Sequence, residues 1–160
     1  MKKIVAITSF LLLIDQGIKM LIDHIFALNE SLVLIPHFFS LTKVQNTGAA
    51  WSIFEGNQLF LILISIFAIF FLYFFFIYKK KLTTFEIFSF GLLFGGTLGN
   101  LVDRIFRGHV IDYLDFTIFG YSFPIFNFAD ICIVVSIIFL CIWYWRDEQC
   151  KNSLQRKKRD

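Results

Sequence analysis

The sequence predicts an all-α membrane protein, a four-transmembrane-helix bundle with a small extracytoplasmic β-like segment. Hydrophobic residues make up 58% of the 160 residues and the mean hydropathy is +0.72, which is not typical of a soluble globular chain. A helix needs about 20 apolar residues to cross a hydrocarbon core of about 30 Å. Four stretches meet this requirement: residues 4–22, 59–78, 85–102 and 126–145. We expect residues 1–146 to form one integral membrane domain and residues 147–160 to form a basic cytoplasmic tail.

The first predicted span, residues 4–22, also has the outline of a secretory signal peptide, because Lys2 and Lys3 precede an apolar run. No small-residue cleavage site of the A-x-A type follows, and the apolar pattern resumes after Asp15. We therefore predict that this segment is retained as the first transmembrane helix.

The segment between the first two spans predicts extended structure. Residues 32–35 are aliphatic and lie ahead of Pro36, and residues 38–44 are rich in aromatic and β-branched side chains. The QNTG sequence at 45–48 is typical of a turn. Small residues follow from Gly48 onward and would allow another backbone to approach closely. This segment is the expected β-like element.

The remaining spans differ in how apolar they are. Residues 59–78 contain nothing more polar than Ser65 and tyrosines, whereas residues 85–102 are the weakest span because they hold Glu86 and four glycines. Three of these glycines recur every four residues: Gly91, Gly95 and Gly99. This spacing favours close helix packing, although small residues could also leave a groove for a substrate.

The distribution of the fifteen Lys and Arg residues predicts the orientation of the bundle. Loops rich in these residues stay on the cytoplasmic side, and they are concentrated before the first span, after the second and after the fourth. Both termini are therefore expected in the cytoplasm, with residues 23–58 and 103–125 on the outer side. The net charge of +3 lies where anionic lipid is found. We expect membrane lipid as a partner and no nucleic acid, and the sequence implies no oligomer.

Polar residues cluster at the predicted outer ends of the third and fourth spans. One face of the third span carries three of them, at i, i+3 and i+4: Asn100, Asp103 and Arg104. Asn127 and Asp130 are three residues apart at the start of the fourth span. Asp112 is expected in the loop that joins these helix ends, which is long enough to fold it against Asp130. Because ionisable groups are costly near hydrocarbon, the cluster predicts a functional site.

The pair Asp112 and Asp130 predicts acid–base chemistry of the aspartic-protease kind. Two carboxylates held close together cannot both ionise cheaply, so they share a proton. One then acts as a general base toward water while the other, protonated, polarises a carbonyl. The chain has no H-E-x-x-H zinc motif, no G-x-S-x-G nucleophile and no Gly-rich phosphate loop, and its three histidines are scattered. We expect no metal and no cofactor.

Other interpretations of the same residues stay open. A small membrane transporter or channel would use the acidic cluster as an ion or proton site. It would also need polar groups through the depth of the membrane, which residues 59–78 do not offer. Ordinary structural roles fit single residues: helix capping for Asn127, a charge that complements the helix dipole for Asp130, and an interfacial ion pair for Asp103 and Arg104.

Five motifs resemble, in order, the motif set of the lipoprotein signal peptidase family, also called signal peptidase II or prolipoprotein signal peptidase. They are DQGIK at 15–19, NTGAAW at 46–51, GGTLGNLVDR at 95–104, GHVIDYLD at 108–115 and FNFAD at 126–130. The first motif alone would carry no weight, whereas five in order are specific. Two positions depart from the family pattern, with Ile18 where Ser or Thr is frequent and Tyr113 where Phe is common.

The resemblance implies an aspartic endopeptidase of the bacterial cytoplasmic (inner) membrane, with its active site near the outer face. Such an enzyme removes the signal peptide from diacylglyceryl-modified prolipoproteins by cutting just before the lipidated cysteine. Motif position implies that Asp112 and Asp130 are the catalytic pair. The implied substrate-binding or site-supporting residues are Asn46, Gly48, Asn100, Arg104, Asn127, Asp15, Lys19 and Asp103.

Overall fold

The computed structural model describes residues 1–48 and 53–156, which form helices and one small antiparallel sheet. The helices are α1 (Lys2–Ile25), α2 (Gln58–Leu72), α3 (Thr84–Phe106) and α4 (Phe128–Arg156), and a π-helical turn, Tyr73–Ile77, extends α2. The strands are β1 (Ser31–Ile35), β2 (Phe39–Asn46), β3 (Val110–Ile118) and β4 (Tyr121–Ser122). The small residues Ala49 and Ala50, with the second motif's Trp51, and the end of the basic tail after residue 156 lie outside the described residues.

Four helices in the described ranges are long and apolar enough to cross a membrane. The predicted fold class, a four-helix membrane bundle with a small sheet, is confirmed. The central helix is α3, which packs against α1, α4 and α2. Most of α3 is buried, whereas α2 and α4 expose most of their side chains. Because α3 faces protein on most sides, it can hold polar and glycine residues that lipid-facing helices hold less readily.

Every fourth residue of α3 is a glycine where this helix faces α1. A Cβ atom built at each would come within 3 Å of an α1 side chain: Gly91 to Ile7 at 2.6 Å, Gly95 to Leu11 at 2.9 Å and Gly99 to Asp15 at 2.5 Å. The prediction of close packing is confirmed, and α1 fills the space that a groove would need. Gly96 faces α4, where a Cβ atom would lie 2.3 Å from the backbone carbonyl oxygen of Ala129.

The sheet has the strand order β1-β2-β3-β4 and all its neighbours are antiparallel. β1 and β2 confirm the predicted extended segment, but the expectation that Asp112 lies in a loop is wrong. Asp112 is on β3, opposite Val44 of β2. The VIDYLDFTI sequence of β3 is rich in β-branched and aromatic residues, and pairing with β2 satisfies backbone groups that a loop would leave to water.

The position of β3 is fixed by residues on either side of Asp112. Ile111 and Tyr113 are buried and pack with Ile22 of α1. Because successive side chains of a strand point to opposite faces, Asp112 points away from this apolar cluster, toward the ends of α3 and α4.

Candidate active site

The start of α4 positions Asp130 through a reciprocal pair of hydrogen bonds with Asn127. The backbone N–H of Asn127 donates to Asp130 Oδ2 at 3.1 Å, and the backbone N–H of Asp130 donates to Asn127 Oδ1 at 3.0 Å. The first amides of a helix have no partners within the helix, and this capping box satisfies two donors there. The capping role considered for Asn127 is therefore present, and the reciprocal bond also orients the Asp130 carboxylate.

Side chains from β3 and α1 bond to the next two amides of α4. The backbone N–H of Phe128 donates to the hydroxyl oxygen of Tyr113 at 3.2 Å, and that of Ala129 donates to Asp15 Oδ1 at 3.2 Å. Burial raises the pKa of the Tyr113 hydroxyl, so this group stays neutral. The helix start that carries Asp130 is thus tied to both β3 and α1.

Asp112 is only 3% exposed, and both of its carboxyl oxygens accept hydrogen bonds. Asn46 Nδ2 donates to Asp112 Oδ2 at 2.8 Å, and Asn127 Nδ2 donates to Asp112 Oδ1 at 2.6 Å. Asn127 therefore bonds to both acids, using its side-chain nitrogen for Asp112 and its backbone N–H and side-chain oxygen for Asp130. The structure brings the two predicted acids into one hydrogen-bond network.

The environment of Asp112 favours its protonated form. Its pKa is raised from 3.8 to about 7, first by burial and then by the negative charge of Asp130. Hydrogen bonds from Asn46 and Asn127 favour the charged form and oppose this shift, but desolvation is the larger effect. The Asp112 carboxyl is therefore able to hold or release a proton near neutral pH.

Asn100 on α3 connects Asp130 to a buried lysine. Its Nδ2 donates to Asp130 Oδ1 at 2.8 Å, while its Oδ1 accepts from Lys19 Nζ at 2.9 Å and from Asn127 Nδ2 at 3.2 Å. Because the amide oxygen faces an ammonium and the amide nitrogen faces a carboxylate, the side chain has a single favourable orientation.

Lys19 is fully buried and is paired with two carboxylates. Its Nζ lies 2.9 Å from Asp15 Oδ2 and 2.8 Å from Asp103 Oδ2, and Arg107 pairs with the other oxygen of Asp103. With all four groups ionised this network is neutral, and it ties α1 to α3. Two residues of this network were not predicted from the sequence: Arg107, and Gln16, whose Nε2 donates to Asp103 Oδ1 at 3.1 Å. The i, i+4 spacing of Asp103 and Arg107 was an available signal.

Arg104 contacts the turn that follows β2. Its Nη2 donates to the carbonyl oxygen of Gly48 at 3.1 Å, and the N–H of Gly48 donates to Asn46 Oδ1 at 2.9 Å. Gln58, another residue not predicted from the sequence, donates from Nε2 to the adjacent carbonyl oxygen of Thr47. Arg104 Nε and Gln58 Oε1 are buried and have no hydrogen-bond partner within the described ranges.

The described part of the chain contains no group of three or more His, Cys, Asp or Glu side chains placed to hold a metal ion. The carboxylates of the site are partnered instead by amides and cationic side chains. This arrangement is suited to proton transfer to and from water and a carbonyl group.

Comparison with known proteins identifies the family. Residues 7–146 match the family model for signal peptidase (SPase) II. The chain belongs to the signal peptidase II family. It is 37% identical over 153 residues to proteins named lipoprotein signal peptidase from the Staphylococcus aureus strains JH9 and Newman, a match that covers 96% of this chain and 94% of each relative.

Two solved structures are also similar to this chain over most of its length. One, described as "Bacterial membrane enzyme structure by the in meso method at 2.3 A resolution", has a TM-score of 0.86 and 36% identity and covers 94% of this chain and 92% of that chain. A second structure has the same description with a resolution of 1.9 A. Its TM-score is 0.81 and its identity is 37%, and the match covers 92% of this chain and 95% of that chain. The chain is a multi-pass bacterial membrane protein of a peptidase family, and the transporter alternative gains no support.

The residues predicted from the signal peptidase II motifs lie close together in the structure. Six of them join the two acids in one continuous network: Asp15, Lys19, Asn46, Asn100, Asp103 and Asn127. Gly48 and Arg104 adjoin this network through the turn after β2.

Proposed function

We propose that this chain is an aspartic endopeptidase that cleaves the signal peptide from diacylglyceryl-modified prolipoproteins just before the lipidated cysteine. The name of its relatives, lipoprotein signal peptidase, supports the substrate class. The observation that carries the aspartic assignment is the position of Asn127, which hydrogen-bonds both Asp112 and Asp130. The dyad needs no cofactor and no metal.

In the proposed mechanism Asp112 holds the shared proton and Asp130 is ionised. Asp130 takes a proton from water as the water oxygen bonds to the scissile carbonyl carbon, and Asp112 gives its proton to the carbonyl oxygen. When the C–N bond breaks, Asp130 passes its proton to the leaving amine and Asp112 recovers a proton from a hydroxyl of the intermediate. The raised pKa of Asp112 supports this division of roles, because the acid partner must remain protonated near neutral pH.

The surrounding residues keep the dyad in position. Asn46 and Asn127 orient Asp112, and Asn100 orients Asp130. Arg104 holds the turn after β2 beside the dyad through its hydrogen bond to the Gly48 carbonyl oxygen. Three further residues hold α1, α3 and α4 together beneath the site: Asp15, Lys19 and Asp103.

The chemistry of the substrate explains where the dyad lies. A signal peptide forms an apolar helix and the modified cysteine adds two acyl chains, so the scissile bond is held at the membrane surface. Asp130 lies at the start of α4, and Asp112 on β3 is joined to it through Asn127. The distribution of positive charge predicts that this end of the bundle is on the outer side. We therefore place the active site near the outer face of the bacterial cytoplasmic membrane, with both termini in the cytoplasm.

Cleavage of a lipidated precursor by purified protein in lipid vesicles tests this proposal. We expect Asp112→Asn and Asp130→Asn each to lower the rate by at least about 100-fold, because an amide cannot take up and pass on the proton. Asp115→Asn is the matched control: Asp115 lies on the same strand as Asp112 and accepts from the Thr42 hydroxyl at 2.8 Å, away from the dyad. Cleavage at the parental rate by either dyad variant would refute the assignment.

Three further measurements in the same vesicles test lipid-dependent recognition, the transporter alternative and independence from metal. A precursor whose cysteine carries no diacylglyceryl group should be cleaved poorly, and equal cleavage would refute lipid-dependent recognition. Ion flux through the same vesicles without any cleavage would instead support a transporter. Activity that a chelator removes and zinc restores would overturn the metal-independent mechanism.

A further inference from the structure

A cleft opens at the end of the bundle opposite the dyad. α2 begins beside the turn after β2 and ends at this cleft, and α3 begins here and ends at the dyad. The cleft encloses about 500 Å³ between the π-helical turn, the connector to α3 and the start of α1. Its walls are apolar at Ile77, Leu82 and Ile87, and its polar lining comes from Tyr73, Tyr78, Lys79 and Lys80.

The backbone beside the cleft departs from regular helix in two ways. The N–H of Tyr78 donates to the carbonyl oxygen of Tyr73 at 2.8 Å, which closes the wide π-helical turn. Lys79 then adopts a φ of +56°, a conformation that is costly for a residue with a side chain. Both features are frequent at functional sites. Together the π-helical turn and the positive φ of Lys79 end α2 and direct the chain so that Lys79 and Lys80 line the cleft.

The ammonium groups of these lysines lie beside aromatic rings, and Lys80 Nζ also donates a hydrogen bond to the backbone carbonyl oxygen of Phe75. Lys79 Nζ lies 5.1 Å from the centroid of the Tyr78 ring, and Lys80 Nζ lies 5.4 Å from that of Phe76. No Asp or Glu is among the lining residues of the described chain. Glu86, the neighbour of Ile87, is buried and accepts the backbone N–H and hydroxyl of Thr83, each at 2.8 Å. Among the residues that line it, the cleft therefore carries the positive charge of two lysines and no negative charge.

We propose that this cleft binds the phosphate-bearing headgroup of an anionic membrane phospholipid. Lysine ammonium and tyrosine hydroxyl groups are donors suited to phosphate oxygens, and the cleft lies at the ends of two membrane spans, at headgroup depth. A soluble phosphate would use only the polar lining. A phospholipid would also cover the apolar walls with the first segments of its acyl chains, so the lipid is the occupant that matches both parts of the surface.

Reconstitution of the full chain in nanodiscs tests the site. The discs contain phosphatidylcholine alone or with phosphatidylglycerol, and native mass spectrometry measures the lipid that each protein retains. We expect the parent to retain phosphatidylglycerol, and Lys79→Gln/Lys80→Gln to weaken its retention on the order of 30-fold. The control Lys81→Gln/Arg146→Gln removes the same charge outside the lining residues and should keep the parental affinity. Precursor cleavage by all three proteins verifies that they are folded.

Two outcomes would overturn the proposal. If the control variant loses as much phosphatidylglycerol as the cleft variant, the lipid is attracted by general surface charge. If glycerol 3-phosphate in solution competes as well as the intact lipid, the cleft recognises free phosphate and not a membrane lipid. Neither outcome bears on the peptidase proposal, because the cleft and the dyad lie at opposite ends of α3.

Discussion

The ionisation of Asp112 should make the stability of the folded chain depend on pH. The pKa of this carboxyl is 3.8 ordinarily and about 7 in the folded protein, so between these values the folded state holds a proton that the unfolded chain has released. The contribution of Asp112 to stability is therefore fully present below about pH 4 and is lost as the pH rises to about 7. A difference of about three pH units corresponds to about 4 kcal/mol of unfolding free energy.

The substitution Asp112→Asn removes this ionisation and keeps the size of the side chain. Its amide nitrogen replaces one of the two oxygens that accept from Asn46 and Asn127, so the variant loses one acceptor. That loss costs about 1–3 kcal/mol against the ionised parent and less against the protonated parent, in which one carboxyl oxygen already carries a proton. Relative to the parent, we therefore expect the variant to gain up to about 4 kcal/mol of stability between about pH 4 and pH 8.

Thermal unfolding of the purified protein across this pH range measures the effect. The parent, Asp112→Asn and Asp115→Asn are followed in the same detergent, with Asp115 as a partly exposed acid on the same strand. The stability difference between parent and Asp112→Asn should change with pH, whereas that of the control should change far less. A constant difference for Asp112→Asn would show that its pKa is not raised, and the role of Asp112 as the proton-holding acid would have to be abandoned.

Three other expectations concern catalysis, packing and buried charge. The kcat/KM for precursor cleavage should fall above about pH 7 as the dyad loses its shared proton, and a rate that still rises at about pH 9 would contradict this. Gly96→Ala should lower the unfolding temperature, at a cost of about 1–3 kcal/mol, because its Cβ would meet a backbone oxygen at 2.3 Å. Gly17→Ala is the control, because a Cβ atom built there meets nothing within 4 Å, and this variant should be neutral or stabilised by up to about 1 kcal/mol. If Gly17→Ala unfolded at a lower temperature than Gly96→Ala, the packing argument would be refuted. Lys19→Met should destabilise the fold by about 3–5 kcal/mol, since it leaves Asp15 buried without its cation and leaves Asp103 with Arg107 alone, and an unchanged unfolding temperature would count against that network.

Parts of the site that depend on local spacing were predictable. The i, i+3 and i+4 positions on α3 placed Asn100 and Asp103 on one face, and the position of Asn127 at the start of the fourth span allowed a helix cap to be considered there. Gln58 was not predicted, because its role comes from the carbonyl of Thr47, which a turn outside its own helix presents.

The strand β3 shows why the rest could not be predicted. Asp112 was expected in a loop because nothing in its own segment reveals that β2 lies alongside. The pairing of Asp112 with Val44 joins segments separated by two transmembrane helices. Strand pairing of this kind is decided by the partner strand and by burial, so the local sequence carries only a weak signal of it.

The sequence by itself determined that the chain lies in a membrane, how many times it crosses and which ordered motifs it carries, because apolar length and residue spacing belong to contiguous segments. Only the tertiary structure decided that one asparagine bonds both acids, that α3 is the buried helix and that the pKa of Asp112 rises. Each of these depends on groups from distant segments removing water from one another, and that desolvation does not exist until the helices and the sheet have packed.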